Sequence, residues 1–168
     1  MKKANQILIL CLFIAVAIGC SKKSSDNVSP AIVGKWKDAG VKGNFTISFM
    51  GQTATESLDE AATGDIIEFK SDGSVENLSA PGDDTQFTKY KTSGNQLTLS
   101  GTQDGKAIEF SFNYSVSGST LLLTMDKALF VKNIAAVSAS GADSDLADLK
   151  EFASFITDFK YEHTLTKQ

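Results

Sequence analysis

The sequence contains no arginine, a single histidine and only two cysteines among its 168 residues. Each scarcity excludes some chemistry. Without arginine the chain lacks the forked donor that best grips carboxylates and phosphates. A weakly acidic chain with no basic stripe is also a poor partner for nucleic acid or anionic lipid, so no nucleic-acid binding is expected. One histidine cannot supply a transition-metal site, which needs several His or Cys ligands. A Ser-His-Asp site would have to use His163, and no Gly-x-Ser-x-Gly elbow accompanies it. Phosphate-cradling glycine loops are missing, because the 13 glycines are spread through turn positions. Glu68, Glu76 and Glu109 fall on outward strand positions rather than as a pair flanking a sugar cleft. Asp83-Asp84 and Asp143-Asp145 match no EF-hand loop and read as a solvated turn and a helix cap. The expectation is a protein that is not an enzyme and uses no metal or cofactor.

The two cysteines have a different use. Lys2 and Lys3 give a positive start, Ile7 to Ile18 is an unbroken apolar run of twelve, and Ala17-Ile18-Gly19-Cys20 closes it. A run of that length is too short to span a bilayer core, which takes about 20 residues. It fits the apolar region of a cleaved signal. The step Ala-Ile-Gly-Cys resembles the lipobox of bacterial lipoproteins, which implies a signal peptide over 1–19 and acylation of Cys20 as the new N-terminus. Stable attachment needs more than one acyl chain, and a lipoprotein N-terminus carries several. Residues 20–30 are polar and read as an acylated flexible tether. The folded domain is expected over 31–168, with its partner membrane reached through the N-terminal acyl chains in the cell envelope, on the outer membrane with either face open. Cys11 leaves with the leader, so no thiol, disulfide or Cys-based metal site remains in the domain. Removal of the leader leaves 14 lysines against 20 acids, a net charge of −6.

The domain itself reads as short strands. Ile108, Phe110, Phe112, Tyr114 and Val116 alternate with Glu109, Ser111, Asn113 and Ser115, five matches to a period of two. Phe45, Ile47 and Phe49 alternate with Thr46 and Ser48, and Leu97, Leu99, Leu121, Leu123 and Met125 continue the pattern. Asp72-Gly73, Gly94-Asn95, Asp104-Gly105 and Gly118-Ser119 fall between apolar runs, as hairpin turns with positive φ require. Strands are expected at 31–37, 44–50, 64–70, 74–78, 86–91, 96–100, 107–116, 120–126 and 159–167. Phe87 and Tyr90 have opposite parity and ask for a bulge or a shifted boundary. Residues 51–63 fit a loop, a short helix around Ser57 to Ala62, or strand.

After Met125 the period changes. Leu129, Phe130, Ile134 and Val137 recur at helical spacing, then Leu146, Leu149, Phe152, Ala153, Ile156 and Phe159, with Asp143 as N-cap and Asp145 and Asp148 favouring the dipole. The architecture expected is mainly β: an antiparallel meander barrel of about eight strands with a helical hairpin inserted before the last strand.

Gly34-Lys35-Trp36, Phe69-Lys70-Ser71-Asp72-Gly73, Tyr90 with Ser93-Gly94-Asn95 and Leu97-Thr98-Leu99, and Tyr114 with Ser117-Gly118-Ser119-Thr120-Leu121 form an ordered series. It resembles the lipocalin-like lipoproteins of Bacteroidetes, many of them domains of unknown function, over most of residues 31–125. The resemblance implies a barrel with Trp36 packed across its closed end. The arginine that usually stacks on that tryptophan has no counterpart here, which leaves Lys160 or Lys167 for the role, or a bottom sealed in another way. An eight-stranded barrel is just wide enough to be filled by side chains or to hold one small ligand. The phenylalanines therefore read as core packing or as a ligand lining. In the second case Trp36 seals the far end, and Phe45, Phe110, Phe112, Tyr114, Tyr161 and His163 line the interior around a small apolar ligand. The rival expectation is a solid-core module that contacts another envelope protein through loops or the helical hairpin.

Overall fold

The computed structural model describes residues 28–79, 85–103, 105–141 and 153–168. Nine strands follow one another: β1 (Gly34–Phe49), β2 (Gln52–Glu60), β3 (Ile66–Phe69), β4 (Val75–Asn77), β5 (Thr85–Ser93), β6 (Gln96–Gln103), β7 (Lys106–Ser117), β8 (Thr120–Asp126) and β9 (Ile156–Lys167). Among the described residues, one helix, α1 (Lys127–Ser140), and a 3-10 turn (Ala153–Phe155) lie between β8 and β9. The sheet runs β4-β3-β1-β9-β8-β7-β6-β5, with β2 also beside β1. β1 is long enough for two partners: residues 34–37 pair with β3, and 41–49 pair with β2. β2 and β3 thus act as one interrupted neighbour of β1. The result is an eight-stranded antiparallel meander, nearly closed into a barrel. A single bridge between Ser74 and Lys89, with Tyr90 N–H donating to the Gly73 carbonyl at 2.7 Å, joins the two ends.

The strands expected at 31–37 and 44–50 are one strand, β1. The chain stays extended across the intended gap because Ala39 and Gly40 form a bulge instead of a turn: the β1–β9 register shifts between Asp38 and Val41. Residues 51–63, left open between loop, helix and strand, are mostly β2. A second shift lies between Phe87 and Lys89, where the parity conflict had asked for a bulge. The glycines at 73, 94, 105 and 118 have positive φ at the hairpins, as their turn positions require.

The first arm of the helical insertion follows its expectation. Asp126 caps α1, its carboxylate accepting from Leu129 N–H at 2.8 Å, and Gly141 ends it at φ 65°. Leu129, Asn133, Ile134 and Val137 form the buried stripe. The second arm, with its cap Asp143 and with Asp145 and Asp148, lies over 142–152, outside the described residues, as do Asp83 and Asp84. Ile156, read as helical, belongs to β9, as does Phe159, which fell in the helical series and at the start of the strand expected over 159–167. Their spacing of three suits a helix, yet the run from Ile156 to Leu165 pairs with β1 or β8 along almost its whole length, and ladder hydrogen bonds override the local period.

One end of the barrel is solid. Trp36, Phe69, Ile32, Leu97, Leu121 and Leu165 are fully buried there. The Trp36 indole N–H donates to the Ile32 carbonyl at 2.7 Å, and Phe69 packs edge-on to Tyr90 at 5.0 Å. Lys167 places its ammonium 5.3 Å from the Trp36 ring centre, so of the two candidate lysines it is Lys167 that lies over the ring. The chain enters the domain at this end: Ser29 N–H donates to the Thr92 hydroxyl and Val28 packs on the same cluster.

Candidate functional site

The other half of the barrel is built differently. Side chains alternate across a strand, and paired residues of neighbouring strands share a face. Tracing the inward face from Leu165 along β9 gives His163, Tyr161 and Phe159. The register sets Val41, Gly43 and Phe45 of β1 and Leu123 and Met125 of β8 beside them. Leu165 is buried completely, but His163, Tyr161 and Phe159 are half-buried. The same gradient runs up β1, from Trp36 at 0% exposed through half-buried Phe45 to Phe49 at 53%. Phe49, grouped with the core phenylalanines by its parity, therefore stands at the exposed hairpin tip, covered only by an edge contact to Phe155 at 5.1 Å.

Aromatic rings cross this half in a row. Phe110 lies 5.8 Å from Phe112, Phe112 lies 6.1 Å from Tyr161, and Tyr161 meets His163 edge-on at 6.4 Å. The structure thus brings together four of the expected lining residues. Phe45 stands opposite Phe159 one register step further out. Trp36 lies in the closed-end cluster, and Phe112 and Tyr114 both pack against that cluster, so Phe112 joins the floor to the row.

His163 ends the row on a carboxylate. Its Nε2 lies 2.8 Å from Asp38 Oδ1. Asp38 is buried, and a buried carboxylate survives only when its lone pairs are used. Here four donors use them. Gly40 N–H and His163 reach Oδ1; Thr63 N–H at 2.6 Å and the Thr63 hydroxyl at 2.9 Å reach Oδ2. The bulge supplies the first of these. Gly40 sits at φ +110°, and a Cβ there would come within 2.9 Å of the Glu60 carbonyl oxygen, so only glycine fits. The break between β2 and β3 supplies Thr63. Burial pushes the Asp38 carboxyl up, but the bonds from Gly40, Thr63 and His163 outweigh it and hold the group well below the usual carboxylate range. The Tyr161 phenol is pushed up, first by burial and then by the charges of Glu60 and Asp38, so it keeps its proton.

α1 closes a gap at the edge of β7, with Val137 packed against Ile108 and Phe110. β7 pairs with β8 only through residues 113–117, leaving the edge above Asn113 without a strand neighbour. Asn133 takes that place: Ser111 N–H donates to its Oδ1 at 3.0 Å, and its Nδ2 donates to the Ser111 carbonyl at 2.8 Å. One side chain thereby satisfies both backbone groups that a strand would have paired. Phe130 of the same helix stacks on Phe159 at 4.2 Å.

Sequence reasoning named the aromatic wall and His163 but missed Asp38, Thr63 and Asn133. Asp38 carried a signal, since it shares the parity of Trp36 and must face inward with it. Thr63 and Asn133 carried none, because their roles depend on a strand break and a helix docking that no local pattern announces. Among the described residues no cluster of three His, Cys, Asp or Glu side chains is placed to hold a metal, and no helix is long and apolar enough to cross a membrane. Compared with known proteins, the chain matches no protein-family model, no curated sequence and no solved structure.

Proposed function

We propose that this chain is a non-enzymatic, lipid-anchored lipoprotein of the cell envelope whose half-open barrel takes up a small apolar molecule. The observation that carries the reading is the burial gradient. The closed end is packed solid around Trp36, whereas Phe45, Phe110, Phe112, Tyr161 and His163 stay half-buried on one inward face. Apolar aromatics left in partial contact with solvent on a concave face, with few polar groups among them, suit a ligand that completes the burial. The anchoring rests on the leader and on the Ala-Ile-Gly-Cys step at Cys20. Entry of the chain at the closed end agrees with it, because a tether leaving from there keeps the aromatic half free of the bilayer.

Native mass spectrometry on the protein released from its own membranes tests both parts. Acylated Cys20 and a retained apolar molecule are expected, and Cys20→Ala is expected to move the protein from the membrane to the soluble fraction. A bare N-terminus, or a protein that neither retains nor takes up any apolar molecule, would overturn the proposal.

A second reading, an interaction module contacting another envelope protein, draws on the β1–β2 hairpin. Met50 is 88% exposed and holds φ +51° at the tip beside exposed Phe49. A bulky residue in that conformation is unusual outside functional turns. Stoichiometric capture of one envelope protein, lost in Met50→Asn, would favour this reading.

A further inference from the structure

We propose that the barrel selects apolar molecules whose polar head donates a hydrogen bond, an alcohol or an amine, and rejects the corresponding carboxylates; this rests on the ligand-binding reading above. The argument begins with Asp38. All four of its hydrogen bonds go to Gly40, Thr63 and His163, so it has nothing left to offer a ligand. Its effect on the site passes through the imidazole. An ionised carboxylate only accepts, so Nε2 of His163 carries the proton that it donates to Asp38. In the neutral ring the other nitrogen, Nδ1, is then an acceptor. Among the described residues Nδ1 has no partner, and neither does the hydroxyl of Tyr161, one residue pair along the same face. No buried side-chain nitrogen or oxygen among the described residues lacks a hydrogen bond, so these two atoms open to solvent at the end of the aromatic row. Together they form an acceptor and a hydroxyl beside an apolar wall.

The charges on that face decide the sign of the head group. Glu60 and Glu56 of β2 stand in register with Val41 and Phe45, on the face that carries His163. Glu60 and Asp38 already act on the Tyr161 phenol. The lysines of the same parity lie at the two ends of the barrel and are engaged there. Lys167 sits over Trp36, and Lys106 bonds the Gly141 carbonyl. A carboxylate placed there could accept from the Tyr161 hydroxyl, but at the neutral imidazole it would meet an acceptor, with three acids around it. A hydroxyl would find an acceptor for its proton, and an ammonium would gain the field of the acids as well. Asp38 is a positioning residue in this scheme, and His163 and Tyr161 are the ligand-touching groups.

The test uses residues 21–168, which contain every described contact, and Nile red as a neutral apolar probe. Displacement by 1-decanol, decylamine and decanoate is compared at neutral pH. Decanol and decylamine are expected to displace the probe at concentrations at least about tenfold below decanoate, a difference of about 1.4 kcal/mol. His163→Phe, which removes the acceptor, is expected to cut that preference while Nile red still binds, whereas Tyr161→Phe removes a hydroxyl open to either head group and is expected to keep it. Equal or stronger displacement by decanoate, or a preference untouched in His163→Phe, overturns the selectivity and leaves the ligand-binding reading standing. Failure of Nile red to bind saturably overturns both.

Discussion

Asn133 offers the sharpest stability prediction, because one buried amide takes the place of a strand partner for Ser111. Its side chain satisfies the N–H and C=O of Ser111, itself buried, on an edge that β8 does not reach. In Asn133→Ala both backbone groups lose their partner in a closed environment. Each buried group left unsatisfied costs about 1–3 kcal/mol, so the total should fall at about 2–5 kcal/mol after partial relaxation. For a domain of this size each kcal/mol lowers Tm by about 3 °C, which places the shift at about 6–15 °C. Asn133→Asp should be nearly as costly, since a carboxylate can accept from Ser111 N–H but repels its carbonyl. Urea denaturation gives the free energy, and hydrogen exchange of the 106–112 segment locates it. A loss under about 0.5 kcal/mol, or unchanged protection at Ser111, would refute the claim that α1 completes the barrel wall through this side chain.

Three further outcomes follow from the same structure. Trp36→Ala should cost about 3–5 kcal/mol by thermal denaturation, as expected for a fully buried aromatic, whereas Lys167→Ala, which removes only an exposed cation over the ring, should cost about 0.5–1 kcal/mol. Gly40→Ala should destabilise by about 1–3 kcal/mol, because it forces a Cβ at positive φ against the Glu60 carbonyl. Asp38 should shape the acid limb of stability. Its carboxyl is depressed in the folded state, so its contribution is complete above the ordinary carboxylate value of about 3.9 and fades as pH falls below it. Denaturation of Asp38→Asn across that range should show a shallower acid slope than the parent, with lower stability at pH 7.

The barrel was legible where one physical rule acted alone. Alternation placed Phe110, Phe112, Tyr161 and His163 on inward faces, and Asp-Gly or Gly-Asn pairs marked the hairpins. It failed where two rules competed. Gly40 looks like a turn residue but forms a bulge, so two expected strands became β1. Ile156 keeps a helical interval with Phe159, yet β9 begins at Ile156 and not at the expected 159, because ladder pairing with β1 dominates. The polar half of the candidate site was hidden for a related reason. Asp38 acquires its meaning only when the β2–β3 break brings Thr63 to it and β9 brings His163 across 125 residues of chain. Those are tertiary events. The Trp36 station was readable as a position, but the choice of Lys167 over Lys160 follows from strand parity: Lys167 pairs with Trp36, and Lys160 pairs with Asn44 on the outer face.

Fluorescence titration of residues 21–168 with Nile red, beside a Phe112→Glu variant, bears most directly on the claim that this barrel is an apolar receptor and not a filled core. Phe112 stands in the middle of the aromatic row and is only half-buried. The account predicts saturable one-to-one binding that Phe112→Glu abolishes while the circular dichroism of the sheet persists. Absence of saturable binding to the parent chain, or binding that the variant leaves intact, would contradict it.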